Sequence, residues 1–242
     1  MKKLDLYPAI IDVLYSFDRI RFLSKYSVKD VKIIIPESEL LKHCLPDNNS
    51  IVKVHIDQTG REWGWKTKVE ASACNDTFFE VIKGYNFGIL SHLQIARDVI
   101  FPTMDEANIF MEWFEKNIDR RYSRKRFKYE ATLYLGTLKG QKSDNYVRCY
   151  VRESKLTGAP CFHSEFTLEG ATAIKKALCI KSYNDLMTSM ECYYMLENKY
   201  LHIKDSGLKQ GLKFGSSYLQ QKDYERIKKR ILLARGITGN SL

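Results

Sequence analysis

The hydrophobic pattern changes period along the chain. Over the first hundred residues, β-branched and aromatic side chains come in short runs: Phe17 to Leu23, Val28 to Ile35, Ile51 to Ile56, Glu62 to Ala71 and Leu90 to Ile100. Such runs predict strands, with Asp47-Asn48-Asn49-Ser50 and Gln58-Thr59-Gly60 as turns between them. The period then lengthens. Ala107, Ile109-Phe110 and Trp113-Phe114 recur at helical spacing behind Thr103-Met104-Asp105-Glu106, where Thr103 and Glu106 suit a capping box, so a helix is predicted over about residues 104–118. Phe127 to Leu135, Asn145 to Val151 and Phe162 to Leu168 read as three further strands, separated by Gly136 to Asp144 and by Thr157-Gly158-Ala159-Pro160. Gly170 to Cys179, Tyr183 to Leu201 and a basic stretch from Gln221 to Ala234 read as helices.

Strand-strand-helix order in both halves predicts one α+β domain over residues 1–200, built on a central antiparallel sheet, with a basic helical C-terminal appendage over 201–242. A chain of 242 residues with 44% hydrophobic and 12% aromatic side chains buries a core, which excludes disorder. Apolar stretches such as Ile33-Ile34-Ile35 before Pro36 fall far short of the roughly 20 residues a bilayer span needs. Met1-Lys2-Lys3 leads into Leu4-Asp5 rather than an apolar leader, so the expectation is a soluble, cytoplasmic protein. The cysteines at 44, 74, 149, 161, 179 and 192 form no CxxC pair and are expected as reduced thiols. The histidines form no HExxH or zinc-finger spacing.

A net charge of +10 makes an acidic polymer the expected partner. The densest basic run is Arg120, Arg121, Arg124, Lys125, Arg126 and Lys128, interleaved with Tyr122 and Phe127. It suits phosphate contacts with base stacking, the other reading being a solvated loop.

Strand periodicity also gathers chemistry. In Phe162-His163-Ser164-Glu165-Phe166, His163 and Glu165 share one face, either as two-thirds of a metal site or as a simple hydrogen-bonded pair. In the strand to Ile100, His92, Gln94, Ala96 and Asp98 share a face opposite Leu93, Ile95 and Arg97. Asp98 is then open to two roles: completing a His/Glu/Asp site for Mg²⁺ or Mn²⁺, or serving a turn or a nearby arginine. Tyr146, Arg148 and Tyr150 share a third face. A tyrosine beside a basic group and a divalent ion is the inventory for attack on a phosphodiester, although a tyrosine on a strand is common without it.

Thr132-Leu133-Tyr134-Leu135-Gly136-Thr137-Leu138, followed by Tyr146-Val147-Arg148-Cys149-Tyr150, resembles the T-x-Y-x-G-S/T and hydrophobic-R-x-Y stretches of the replication initiation factors of rolling-circle plasmids, phages and integrative elements. Ser154 to Glu165 continues the resemblance as the R/H-x-E strand, and Leu93 to Asp98 is similar to the I-D/E-L-A-x-D strand. The similarity spans roughly residues 88–185, most firmly 130–172. It implies a fold of paired strand-strand-helix units related to His-hydrophobic-His nickases. It also implies an enzyme that nicks one DNA strand at an origin, stays joined to the 5′ phosphate through a tyrosine, and works with a host helicase or polymerase. Carried over, Tyr150 is the nucleophile, assisted by Arg148, and Asp98 and Glu165 hold Mg²⁺ or Mn²⁺. This chain departs from the pattern in having Val151-Arg152 after the tyrosine, Gln94 for the usual acid and His163 where many members have Arg. The catalytic cation is therefore Arg152 or Lys155, and His163 is a metal ligand or a phosphate contact. The other reading on the same scaffold is a non-catalytic nucleic-acid-binding replication regulator.

Overall fold

The computed structural model describes residues 10–45, 51–56, 64–83, 88–121, 125–136 and 145–203. The expected helix from Gln221 to Ala234, almost all of the appendage around it, and Arg124 lie outside the described residues.

Eight strands form one sheet in which every neighbouring pair is antiparallel. Its long central members are β1 (Asp12–Ser24), β4 (Gly88–Ile100), β8 (Asn145–Glu153) and β9 (Pro160–Glu169). With β2 (Val52–Ile56), β3 (Thr67–Cys74), β6 (Arg126–Tyr129) and β7 (Thr132–Leu135), the spatial order is β2-β3-β1-β4-β9-β8-β7-β6. The sequence therefore places α+β architecture and the antiparallel sheet as the structure has them. The run from Phe127 to Leu135 is not one strand but two, because Glu130, at φ 50°, turns the chain back between β6 and β7.

Val28 to Ile35, expected as a strand from its β-branched residues, is instead the helix α1 (Val28–Ile34). Local capping overrides propensity there: the Ser27 side chain accepts from the Asp30 amide, the Asp30 carboxylate accepts from the Ser27 amide, and Pro36 prevents continuation. Two short helices gave no clear periodic signal, α2 (Glu37–Leu41) and α3 (Phe78–Lys83). The expected helix after β4 is α4 (Met104–Asn117), capped by the Thr103 hydroxyl accepting from the Glu106 amide. α5 (Ala171–Leu178) and α6 (Ser189–Tyr200) follow β9, and β5 (Ile118–Arg120) pairs with β10 (Leu201–Ile203) in a separate ribbon.

One face of the sheet is apolar and helix-covered. Phe162 of β9 meets Phe110 and Phe114 of α4 with ring centroids 5.0 and 4.8 Å apart, Phe166 meets Tyr193 of α6 at 5.1 Å, and Phe17 of β1 meets Phe79 of α3 at 4.7 Å. Each such buried ring stabilises the fold by about 1.5–3 kcal/mol. Alternation along the strands then sends the intervening polar residues to the opposite face. Among the described residues, no helix is long and apolar enough to cross a membrane.

Candidate active site

The polar face is assembled by register. Asp98 of β4 lies opposite His163 of β9, and Tyr150 and Arg148 of β8 lie opposite His163 and Glu165. One more acid arrives by an irregularity: Phe17 pairs with Ile95 and Arg19 with Gln94, leaving Asp18 as the extra residue of a β-bulge in β1. A bulge re-aims its side chain, and here Asp18 turns towards His163 and Glu165. One ligand atom each from Asp18, His163 and Glu165 lie within 4.8 Å of one another.

His163 and Glu165 are fully buried. His163 Nδ1 stands 2.5 Å from Asp98 Oδ1, and its Nε2 stands 3.2 Å from Glu165 Oε2. The Ser154 hydroxyl donates to Asp98 Oδ2 at 2.5 Å. Burial alone lowers an imidazole pKa, but the two carboxylates outweigh it and His163 is raised above its ordinary value. Burial raises the Glu165 carboxyl, yet His163 and the Arg148 guanidinium, 2.6 Å from Oε1, bring it down to about 2. Asp98 is held below the usual range, against its burial, chiefly by His163 and Ser154.

Asp98, expected as a metal ligand, thus stands behind His163: its Oδ1 meets Nδ1, which Arg152 also approaches at 2.9 Å, while Nε2 faces Glu165. A carboxylate that orients a ligating imidazole in this way is the usual support of a metal-bound histidine. One nitrogen and two carboxylates suit Mg²⁺ or Mn²⁺ better than a soft metal. Sequence reasoning missed Asp18. The signal was the three-residue step between the core residues Phe17 and Ile20, which strict alternation forbids and a bulge requires.

The Tyr150 ring lies beside this cluster, 4.9 Å from the His163 ring between centroids. Arg148 and Arg152 place their guanidinium carbons 5.7 and 5.6 Å from its centroid. Burial pushes the Tyr150 hydroxyl up to about 12, with the two arginines pulling the other way. Both candidate catalytic cations reach the site at different acids: Arg152 stands 3.8 Å from Asp98 Oδ1 and Lys155 stands 3.4 Å from Asp18 Oδ1.

Of the basic run, the described cations Arg120, Arg121, Arg126 and Lys128 lie elsewhere and are engaged by the fold. Arg120 donates to the carbonyls of Leu135 and Asn145 at 3.2 and 2.9 Å, Arg121 to the Leu201 carbonyl at 2.7 Å, and Arg126 to the Glu115 carbonyl at 2.5 Å. Lys128 bonds the Glu115 carboxylate at 2.8 Å, and the Lys125 carbonyl accepts from Gly136. Gly136, at φ 96°, is where Arg120 crosses, and an added Cβ would overlap the guanidinium. No protein-family model, curated protein or solved structure matches the chain.

Proposed function

We propose that this protein is a metal-dependent DNA nickase and strand-transferase that starts rolling-circle replication, with Tyr150 as its nucleophile. The observation that carries the reading is the meeting, on the polar face of the sheet, of Tyr150 with two guanidiniums and the Asp18, His163, Glu165 cluster. Asp18, His163 and Glu165 would hold a divalent ion, which would supply positive charge for the scissile phosphate. The Tyr150 oxygen attacks phosphorus in line as its proton passes to water. The bond to the 3′-oxygen breaks, that oxygen takes a proton from water, and a 5′-phosphotyrosine and a free 3′-OH result. Arg148 and Arg152 offset charge on the phenolate and the phosphorane oxygens. Asp98 and Ser154 hold the imidazole in place, and the same steps in reverse rejoin the strand.

One observation favours the regulator instead. Arg148, Arg152 and Lys155 face Glu165, Asp98 and Asp18 respectively, so the acids have cationic partners without any ion. A labelled pool of single-stranded DNA with Mn²⁺ separates the two readings. The nickase gives a protein–DNA band that survives SDS and disappears in Tyr150→Phe while DNA binding persists. Salt-sensitive binding with no such band in the wild type identifies the regulator.

A further inference from the structure

The polar face continues past the site to the β6 edge, and what it carries there is aromatic. Phe127 of β6 and Tyr134 of β7 are direct cross-strand partners whose rings stack at 4.6 Å and 7°. Tyr134 lies opposite Arg148, the residue that bonds Glu165, so the pair is on the face of the candidate site. Tyr146, two positions from Arg148 on the same side of β8, adds a third ring 6.5 Å from Tyr134. All three rings are half-buried, while Leu133, Leu135 and Val147 beside them point into the core.

We propose that Phe127, Tyr134 and Tyr146 form a stacking platform for unpaired nucleobases of the strand whose phosphate lies at Tyr150. The inference rests on the nickase or regulator reading for its ligand class and extends it by assigning where the bases go. Tyr146 is four residues from Tyr150, about 13 Å along the strand, so the platform engages nucleotides flanking the scissile one. Along β8 the order Tyr146, Arg148, Tyr150, Arg152 alternates ring and guanidinium on one face, which pairs base stacking with phosphate contact. Aromatic faces accept any base, so the platform gives affinity for single strands without reading sequence. An uncharged peptide or lipid gains nothing from the guanidiniums, whereas a polyanion does, and the chain carries +10 overall.

The test is equilibrium binding of fluorescein-labelled oligo(dT), in single-stranded form and as a duplex, to the full-length protein. Tyr134→Leu and Tyr146→Leu keep apolar bulk and remove the ring. Each is expected to weaken single-strand binding by roughly 5- to 150-fold, the range for loss of one base–aromatic stack, with an unchanged salt slope because no phosphate contact is lost. Wild-type protein tested against the same oligonucleotide carrying abasic sites reports on stacking without any mutation, and should lose a similar factor. Folded variants with wild-type affinity, or wild-type protein that binds abasic and intact strands equally, overturn the platform. Absence of oligonucleotide binding by the wild type overturns it together with both nucleic-acid readings. A covalent adduct at Tyr150 with no dependence on the rings removes the platform alone, and base-dependent binding with no adduct removes only the nickase.

Discussion

Asp18→Asn keeps the shape of the bulged side chain and removes its charge, so it tests the cluster directly. At Mn²⁺ about 100-fold above its dissociation constant, an ion bound only by the folded protein stabilises it by about 2.7 kcal/mol. We expect that gain, read as a rise in melting temperature, in the wild type and its near loss in Asp18→Asn. Asp98→Asn should instead weaken Mn²⁺ by about 10- to 100-fold, the usual effect of removing the partner that orients a ligating imidazole. Equal Mn²⁺ responses in wild type and Asp18→Asn would remove the cluster from the account. At this scale the sequence carries His163, Glu165 and Tyr150 through simple alternation, because β8 and β9 are regular where those residues lie. It does not carry Asp18, which depends on a bulge, nor the inward role of Asp98, which depends on which ring nitrogen it meets.

Elements are joined here by charged side chains as well as by ladders. Arg21 on β1 and Glu70 on β3 are cross-strand partners, 2.7 Å apart, with His55 of β2 at 3.3 Å. Burial opposes ionisation of Glu70, but Arg21, Lys68 and His55 outweigh it and hold the carboxyl below its ordinary range. A carboxyl lowered on folding stabilises the protein above its unfolded pKa, about 4.3, and that contribution disappears as pH falls through the folded value. The melting temperature should therefore fall below about pH 4.3, and Glu70→Gln should narrow the difference between pH 6 and pH 3. An unchanged difference would show that the pair contributes nothing measurable. Gly136 joins β7 to Arg120 in a different way. Gly136→Ala introduces both an unfavourable backbone conformation and an overlap with the guanidinium, and should cost about 1–3 kcal/mol or more in urea unfolding. The helix α1 was hidden in the sequence by its β-branched residues, while Thr103 and the spacing behind it made α4 legible. Caps act locally, and at Ser27 and Asp30 the capping box outweighs the β propensity of the residues behind it.

Across the described residues the sheet separates two environments, an apolar face under helices and a polar face that holds Asp98, Arg148, Tyr150, His163 and Glu165. This division was legible from period-two alternation in β4, β8 and β9. The destination of the basic run was not, because charge density alone does not reveal which cations the fold consumes. Arg121 and Arg126 each hold a backbone carbonyl at a junction with β10 or α4. Arg121→Ala with Arg126→Ala should therefore lower the melting temperature, while the slope of log affinity against log salt for single-stranded DNA changes by less than the roughly 0.7 per contact expected of phosphate-binding cations. A folded double variant whose slope falls by about 1.4 would return these residues to the DNA surface. The bulge at Asp18 has a consequence for how such a protein could change over generations. Because Asp18 is an insertion in the β1–β4 ladder, loss of that one codon restores unbroken pairing from Phe17 to Arg19 and keeps Phe17 and Ile20 facing the core, with Ala73 left over on β3. A single in-frame deletion can thus erase the acid and spare the fold; under the proposed function, such a deletion would leave a protein that occupies DNA without cutting it.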